Sequence, residues 1–363
     1  MSDVLVVVAL VAVPLAALWQ LSPGTVTPYL DERGVPLRGS VSDKARISVN
    51  GVDLGMFIRG RDRTRPVLLF LHGGPGMPEY FLERTRPSNL EDDFVVCWWE
   101  QRGAGMSYHP AMPHQSMSVD QLISDTVEVT NYLRERFDQD KIYLLGHSWG
   151  TFLGIQVAAR RPDLYHAYVG MGQITHQIRS EILFHRYAIT QFEQIGDTRM
   201  ARKLRRAPVT TTLPLPRSYL KLRDTAMHRL GVGTTRDMTS AISGIFIPVW
   251  ATRDYTMREK IAIGLGKAYS QRRLWNTFLA TDLTAIVPRS EIPIYICQGR
   301  FDYTVNSSQA RSYLARLSAP VKGFYTFDSA AHSPLWEQPE RMRRILREDV
   351  LTGQTTLADD ERG

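Results

Sequence analysis

The sequence predicts an α/β protein with a mostly parallel, doubly wound sheet and a helical cap inserted into it. Two observations carry this prediction. Short apolar runs alternate with longer amphipathic stretches on either side of the middle of the chain, which is the pattern of buried parallel strands joined by helices. Between about residues 173 and 288 the strand-like runs stop, and helix-like segments broken by prolines replace them. This segment is the predicted cap.

The elements before the cap can be read in order. Asn50-Gly51 separates two strand-like runs and accepts the positive φ angles of a tight turn, so a hairpin is predicted there. Ser118, with Gln121 three residues later, forms a capping-box pattern that opens a helix ending near Asp138. The other runs predict a helix at 149–161 and buried strands at 67–71, 94–99, 141–145 and 166–171.

The strand pattern resumes after the cap and the chain ends in a polar stretch. Strands are predicted at 292–297 and 323–327, followed by a helix at 339–350. The polar tail, 351–363, is expected to fray from Thr352. The predicted organisation is therefore a linker at 22–43, rich in Pro and Gly, a core of 44–172 and 289–350, and a cap of 173–288.

Composition excludes several classes of protein. Apolar residues make up 43% and charged residues 22% of the 363 residues, which is a globular balance and not a disordered one. The net charge of +7 is spread thinly, so nucleic-acid binding is not expected. The densest basic cluster is interpreted as an exposed helix, with an acidic membrane surface as the alternative: Arg199, Arg202, Lys203, Arg205 and Arg206.

The two cysteines, Cys97 and Cys297, each lie inside an apolar run. They are therefore interpreted as buried thiols and not as a disulfide or a metal site. No zinc-binding spacing is present in the sequence, and the predicted chemistry requires no metal or organic cofactor.

The N-terminal segment is apolar and uncharged. From Val4 to Leu21 only Gln20 is strongly polar. As a helix these 18 residues would extend about 27 Å, close to the roughly 30 Å hydrocarbon core of a bilayer. The segment, 1–21, is predicted to be a membrane anchor, because it lacks the basic start and the cleavage site of a signal peptide. A signal peptide and a docked helix are the alternatives.

Basic residues follow this segment and none precedes it. By the positive-inside tendency this favours a membrane-associated protein with a cytoplasmic catalytic domain. The sequence leaves the oligomeric state open. The residues in question are Arg33, Arg38, Lys44 and Arg46.

A nucleophile motif lies between a predicted strand and a predicted helix. A serine at such a sharp turn has an exposed hydroxyl, and the helix start behind it favours developing negative charge. The glycines on either side are needed because neighbouring chain comes close. Ser148 is therefore the candidate nucleophile of an α/β-hydrolase fold, in the motif Gly146-His147-Ser148-Trp149-Gly150.

A serine nucleophile needs a base and an acid that orients the base. In this fold the acid and then the histidine follow the serine along the chain. His332 is the only histidine after residue 228 and falls in the loop after the last predicted strand. Asp302 follows the strand before it and is the predicted acid. Asp328 is the rival, but it lies only four residues before His332 and is better interpreted as a turn residue.

The oxyanion requires two fixed N–H donors. Trp149, directly after the nucleophile, is predicted to supply one. The other is assigned to Gly74, with Gly73 close behind, in the glycine-rich loop 72–76 that follows the strand 67–71.

These motifs resemble the prolyl iminopeptidase family of serine peptidases over roughly 44–350. The resemblance implies an α/β-hydrolase core whose helical cap covers the active site. It also implies that Ser148, Asp302 and His332 are the triad and that Gly74 and Trp149 form the oxyanion hole. The motifs are His72-Gly73-Gly74-Pro75-Gly76, then Gln101-Arg102-Gly103-Ala104-Gly105-Met106-Ser107, Gly146-His147-Ser148-Trp149-Gly150 and Gly299-Arg300-Phe301-Asp302.

The sequence departs from the family at two places. Glu100 stands where the family usually has Asp. The Trp-Glu context with which the cap of this family holds a free amino terminus is missing, and three cap glutamates that could replace it are each interpreted as solvated. They are Glu181, Glu193 and Glu259.

The predicted function is that of a serine hydrolase acting through an acyl-enzyme on a small molecule or a short peptide. A prolyl iminopeptidase-like aminopeptidase is the leading hypothesis. The alternatives are a carboxylesterase or lipase-like hydrolase of apolar esters and a catalytically silent, membrane-tethered binding module. Epoxide and haloalkane hydrolysis are disfavoured, because the related enzymes place Asp at the position of Ser148.

Overall fold

A computed structural model describes residues 18–359. Most of the predicted anchor, 1–21, therefore lies outside the described residues. Within 18–359, no helix has both the length and the apolar character needed to cross a membrane.

Eight strands form one sheet in the order β1-β2-β4-β3-β5-β6-β7-β8. β1 and β2 form the predicted hairpin, and the pairs from β4 to β8 are parallel. The predicted fold class is confirmed. The strands are β1 Val41–Val49, β2 Val52–Gly60, β3 Val67–Leu71, β4 Val95–Trp99, β5 Ile142–His147, β6 Tyr165–Met171, β7 Ile294–Gly299 and β8 Lys322–Phe327.

Helices cover both faces of the sheet, so its central strands are buried throughout. Along β3, Leu69 and Leu71 pack into one apolar layer while Leu68 and Phe70 pack into the other, as the alternation of side chains along a strand requires. The helices of the core are α1 Tyr80–Thr85, α2 Val119–Phe137, α3 Trp149–Arg160, α10 Ser307–Arg316, α11 Pro334–Glu337 and α12 Pro339–Ile345.

The connection from β6 to β7 holds the remaining helices and forms the cap. It has a small core of its own, in which Phe184, Leu204, Tyr219 and Met227 are buried. These side chains pack mainly with one another, so the cap is a second packed layer above the carboxyl edge of the sheet. Its helices are α4 Gln177–Gln194, α5 Thr198–Arg205, α6 Arg217–Arg229, α7 Ile247–Ala251, α8 Met257–Ala280 and α9 Leu283–Ile286.

The polar tail is ordered as far as Asp359, and the expectation that it frays from Thr352 is wrong for this stretch. The buried carboxylate of Asp349 accepts hydrogen bonds from the backbone N–H groups of Thr356 and Leu357, both at 2.9 Å. Asp359 in turn accepts from the backbone N–H of Thr326 in β8 at 3.0 Å. These bonds hold the tail against the edge of the sheet.

Candidate active site

The predicted nucleophile lies at a strained turn between β5 and α3. Ser148 has φ 53° and ψ −118°, a conformation that costs roughly 1–3 kcal/mol for a residue with a side chain. A Cβ at Gly146 would lie 2.5 Å from the carbonyl oxygen of Gly150, and one at Gly150 would lie 1.9 Å from that of Leu71. Only glycine fits at either position, so the motif dictates the turn and the turn exposes the serine.

The predicted acid and base meet. His332 Nδ1 lies 2.8 Å from Asp302 Oδ2, although 30 residues separate them. The carboxylate also accepts from Gln298 Nε2 at 2.8 Å and from the backbone N–H of Val305 at 2.9 Å. Asp302 is therefore a buried acceptor held by several donors, and it fixes the imidazole with a proton on Nδ1.

The other ring nitrogen of His332 faces the reaction space. Among residues 18–359, His332 Nε2 is buried and has no hydrogen-bond partner. Ser148 and His332 line the same cavity. The free nitrogen is an acceptor for the serine proton, and such contacts commonly shorten only when substrate binds.

Asp328, the rival acid, lies on the surface. Its side chain is 62% exposed and forms an ion pair with Arg300. The Nδ1 proton of His332 goes to Asp302 instead, so Asp328 does not orient the ring.

The two predicted oxyanion donors, Gly74 and Trp149, lie beside the predicted nucleophile. Gly73 donates its N–H to Glu79 Oε2 at 3.1 Å, which removes it as a donor and leaves Gly74. Gly74 has φ +124°, and a Cβ there would lie 2.5 Å from the backbone nitrogen of Gly76. Trp149 is the first residue of α3, where an amide has no acceptor within the helix. Both groups border the nucleophile.

A buried ion pair next to the nucleophile was not predicted. His147 Nδ1 lies 2.7 Å from Glu79 Oε1, and His147 Nε2 lies 2.8 Å from the carbonyl oxygen of His332. Both partners are acceptors, so the ring carries two protons. Burial opposes this charge, but Glu79, the carbonyl of His332 and Asp302 together outweigh burial and raise the pKa of His147. The pair ties the serine turn to the histidine loop.

His72 supports the oxyanion loop in its neutral form. Burial lowers its pKa to about 4. Its Nδ1 donates to the carbonyl oxygen of Gly73 at 2.8 Å, and its Nε2 accepts from the backbone N–H of Gln101 at 3.0 Å. The imidazole therefore connects two of the motifs that the sequence singled out.

The predicted nucleophile and base line a cavity of about 570 Å³ between sheet and cap. Two of its polar atoms, Gln177 Oε1 and Trp275 Nε1, are buried and have no partner within the described chain. They offer one acceptor and one donor to a substrate. Much of the wall is apolar and comes from Met77, Phe81, Leu82, Leu220, Met227, Ile245, Trp275 and Phe278.

The cap glutamates are all engaged by basic groups. Glu181 is buried, which corrects its interpretation as solvated. It pairs with Arg223 through several bonds of 2.8 to 3.0 Å and accepts from Tyr219 at 2.6 Å. Glu193 is exposed and pairs with Arg205. Glu259 caps α8 and pairs with Lys44 at 2.6 Å, and its side chain is only 12% exposed, so its interpretation as solvated is also wrong.

Glu100, which stands where the resembled family usually has Asp, has a structural role. Glu100 is buried and accepts from Tyr255 and from the backbone of Met106, both at 2.5 Å. Burial nevertheless raises its pKa to about 7. Arg102 pairs with buried Asp125 at 2.6 and 2.8 Å and does not reach the cavity.

Comparison with known proteins agrees with this geometry. Residues 66–339 match the family described as alpha/beta hydrolase fold. The chain is 29% identical to a protein named probable aminopeptidase YbaC of Bacillus subtilis, covering 86% of this chain and 97% of that protein. The resemblance inferred from the motifs is thereby confirmed.

Two solved structures illustrate the range of activities on this fold. Proline iminopeptidase of Mycobacterium smegmatis superposes with a TM-score of 0.58 at 16% identity, covering 85% of this chain and 98% of that one. A membrane phospholipase A superposes with a TM-score of 0.59 at 16% identity, covering 96% and 95%. At this level of identity they show the fold and do not decide the substrate.

Proposed function

The chain belongs to the alpha/beta hydrolase fold family, and from this premise we propose that it is a serine hydrolase acting through an acyl-enzyme. The observation that carries the proposal is the bond between His332 Nδ1 and Asp302 at 2.8 Å, beside a strained Ser148 in the same cavity. An imidazole fixed in this way is the base that a serine hydroxyl needs.

The reaction follows from the placement of these groups. Ser148 Oγ attacks the substrate carbonyl carbon while its proton passes to His332 Nε2. The N–H groups of Gly74 and Trp149 stabilise the oxyanion. The bond to the leaving amine or alcohol breaks, and that group takes the proton from His332. Water then attacks the ester on Ser148, gives its proton to His332 and releases the acid product, after which Ser148 recovers its proton.

Labelling with a fluorophosphonate probe tests the mechanism. The wild-type chain is expected to form a covalent adduct, and Ser148→Ala is expected to form none. An unreactive wild type would contradict the proposal and would favour the binding-module alternative.

An aminopeptidase is the first candidate for specificity. It is supported by the similarity to the protein named probable aminopeptidase YbaC. An aminopeptidase holds the ammonium group of its substrate, and within residues 18–359 the cavity atom Gln177 Oε1 is a free acceptor for an N–H group. The proposed substrates are therefore short amides with a small N-terminal residue.

Hydrolysis of apolar esters is the second candidate, and the charge pairing of the cavity favours it. Two carboxylates of the described residues line the cavity, Glu79 and Asp224. Glu79 is paired with His147, and Asp224 is paired with Arg223 at 2.9 Å. Each of the two therefore has a basic partner, although Asp224 shares Arg223 with Glu181. Lys267 and Arg272 also line the cavity, and the wall offers a broad apolar surface.

One comparison separates the two candidates. Proline and alanine arylamides are assayed beside short-chain nitrophenyl esters, with Ser148→Ala as the blank. Turnover of the arylamides at rates comparable to the esters supports the aminopeptidase. Rapid turnover of esters alone rejects it in favour of the esterase.

A further inference from the structure

One face of the cap is apolar and exposed. A π-helical turn runs directly into α7, and on its outer side Ile242, Phe246 and Ile247 are 67%, 58% and 56% exposed. On its inner side Gly244 and Ile245 line the catalytic cavity. The same short segment therefore separates the cavity from the surroundings and shows an apolar surface outward.

A second exposed apolar stripe runs along α8. Ile261 and Leu265 are 49% and 51% exposed, and Ala268 and Arg272 follow them on the same side of the helix at a helical spacing. Ala268 and Arg272 line the cavity. The stripe thus leads from the start of α8 to the mouth of the active site.

The N-terminal part of the chain enters at the other end of this stripe. Lys260 Nζ donates to the carbonyl oxygens of Leu21 at 3.0 Å and Trp250 at 2.8 Å. Trp19 and Leu21 are exposed at this point. The sequence has no charged residue from Val4 to Leu30, so these exposed apolar side chains belong to an uncharged stretch of the chain.

Positive charge is concentrated in the cap, to which most of these exposed apolar residues belong. The cap, residues 173–288, contains 18 Lys and Arg against 8 Asp and Glu, whereas the whole chain contains 44 against 37. The excess of positive charge therefore lies entirely in the cap. An exposed apolar face on a domain of net positive charge is a composition that favours binding to an anionic lipid surface.

We propose that this surface docks on a bilayer that contains anionic lipids, so that the mouth of the catalytic cavity faces the membrane. The docking does not depend on the proposed chemistry, but delivery of apolar substrates from the bilayer rests on it. The interfacial face consists of Trp19, Leu21, Ile242, Phe246, Ile247, Ile261 and Leu265.

A site-specific label tests the docking in the full chain. Cys97 and Cys297 are buried, and burial raises the pKa of both thiols, so a maleimide dye reports only an introduced cysteine. Phe246→Cys places the dye on the interfacial face. Ile286→Cys is the matched control, because Ile286 is also an exposed apolar residue, 51% exposed, but lies beside Arg160 at the far end of α3.

Vesicles of phosphatidylcholine with phosphatidylglycerol, with and without nitroxide-labelled lipid, provide the readout. The dye at 246 is expected to shift to shorter wavelength and to lose about half of its emission or more to the nitroxide, as for a side chain buried below the headgroups. The dye at 286 is expected to do neither.

The other outcomes contradict the proposal. If the chain floats with the vesicles but the dye at 246 stays in water, only the N-terminal segment binds lipid. If the dye at 246 is already shielded without vesicles, residues 1–17 or a second copy cover the face. If the chain binds equally well to vesicles of pure phosphatidylcholine, the basic residues of the cap do not contribute to docking.

An activity assay separates docking from chemistry. Ile242→Asp/Phe246→Asp changes no residue of the cavity wall, so hydrolysis of a soluble short-chain ester is expected to stay within about twofold, while hydrolysis of a vesicle-embedded ester falls about tenfold or more. Ile286→Asp is expected to change neither rate. If the double variant also retains the vesicle rate, the docking proposal is wrong. If no ester is hydrolysed in either form, the proposed function fails, and the label still decides the docking.

Discussion

The carboxyl edge of the sheet and the cap above it differ in how closely other atoms surround their glycines. At the edge, a Cβ on Gly150 would collide with a backbone atom at 1.9 Å and one on Gly299 would collide at 1.8 Å. In the cap, a Cβ on Gly264 in α8 would meet no atom of the described chain within 4 Å. The edge provides the proposed chemistry and has no room for a Cβ at these glycines, whereas the outer face of α8 at Gly264 has room to vary.

The largest effect is expected at the edge, from Asp302→Asn. The amide would hold His332 in the wrong tautomer, so kcat should fall by about 10⁴, as for acids of this type in serine hydrolases. Asp328→Asn should leave kcat within about twofold, since that side chain is exposed. Steady-state kinetics on the better of the arylamide and ester substrates measure both. A similar loss in the two variants would show that the acid has been assigned wrongly.

Paired glycine substitutions test the contrast between the regions by stability. Gly150→Ala forces a Cβ against the carbonyl oxygen of Leu71 and should destabilise the protein by about 3 kcal/mol or more. Gly264→Ala should instead stabilise it by about 0.5–1 kcal/mol, since alanine is the better helix former. Urea unfolding of the two variants gives the comparison. If the two substitutions change the free energy of unfolding equally, the edge and the cap do not differ in this way.

The buried pair at the edge predicts a pH dependence. Because Glu79 raises the pKa of His147, the pair contributes fully below the ordinary histidine pKa of about 6.5 and less as the pH rises through the folded value. Glu79→Gln should therefore cost about 1.5–3 kcal/mol near pH 6 and less near pH 9. Thermal unfolding at the two pH values measures this, and a cost that grows with pH would refute it.

The smallest effect is expected in the cap, on specificity. Arg223→Gln removes the cation that Glu181 shares with the cavity residue Asp224, so the ratio of arylamide to ester kcat/KM should rise about tenfold, or ~1.4 kcal/mol. Arg223→Gln/Asp224→Asn is the control, because it also removes the carboxylate that lines the cavity, and it should keep the wild-type ratio. An unchanged ratio in the single variant would show that Asp224 does not bind a substrate amine.

Most of the strands and predicted site residues at the edge could be predicted from the sequence, because each is indicated by a local pattern or by its position along the chain. Continuous apolar runs predict β3 at Val67–Leu71 with its observed bounds, since a strand buried on both faces needs no polar residue. The order of acid and histidine along the chain predicts that Asp302 and His332 meet. The choice between Gly73 and Gly74 needed coordinates, because it depends on a hydrogen bond to Glu79.

The features that resisted prediction depend on contacts between distant residues. Glu181 resembles any surface glutamate in sequence, and its burial depends on Tyr219 and on Arg223, 42 residues later. Glu79 and His147 are 68 residues apart, and neither carries a signal of the other. The polar sequence of the tail predicts fraying. The sequence does not show that the buried carboxylate of Asp349 accepts hydrogen bonds from the tail.

The hydrogen bond from His147 Nε2 to the carbonyl oxygen of His332 has an evolutionary consequence. A neutral residue at position 147 would strand both the Glu79 carboxylate and that carbonyl, so neither position can drift alone. Among related hydrolases, Glu79 and His147 are expected to be exchanged together. Their joint presence would mark a lineage in which the nucleophile turn and the histidine loop are inherited as one unit, while the cap between them diverges.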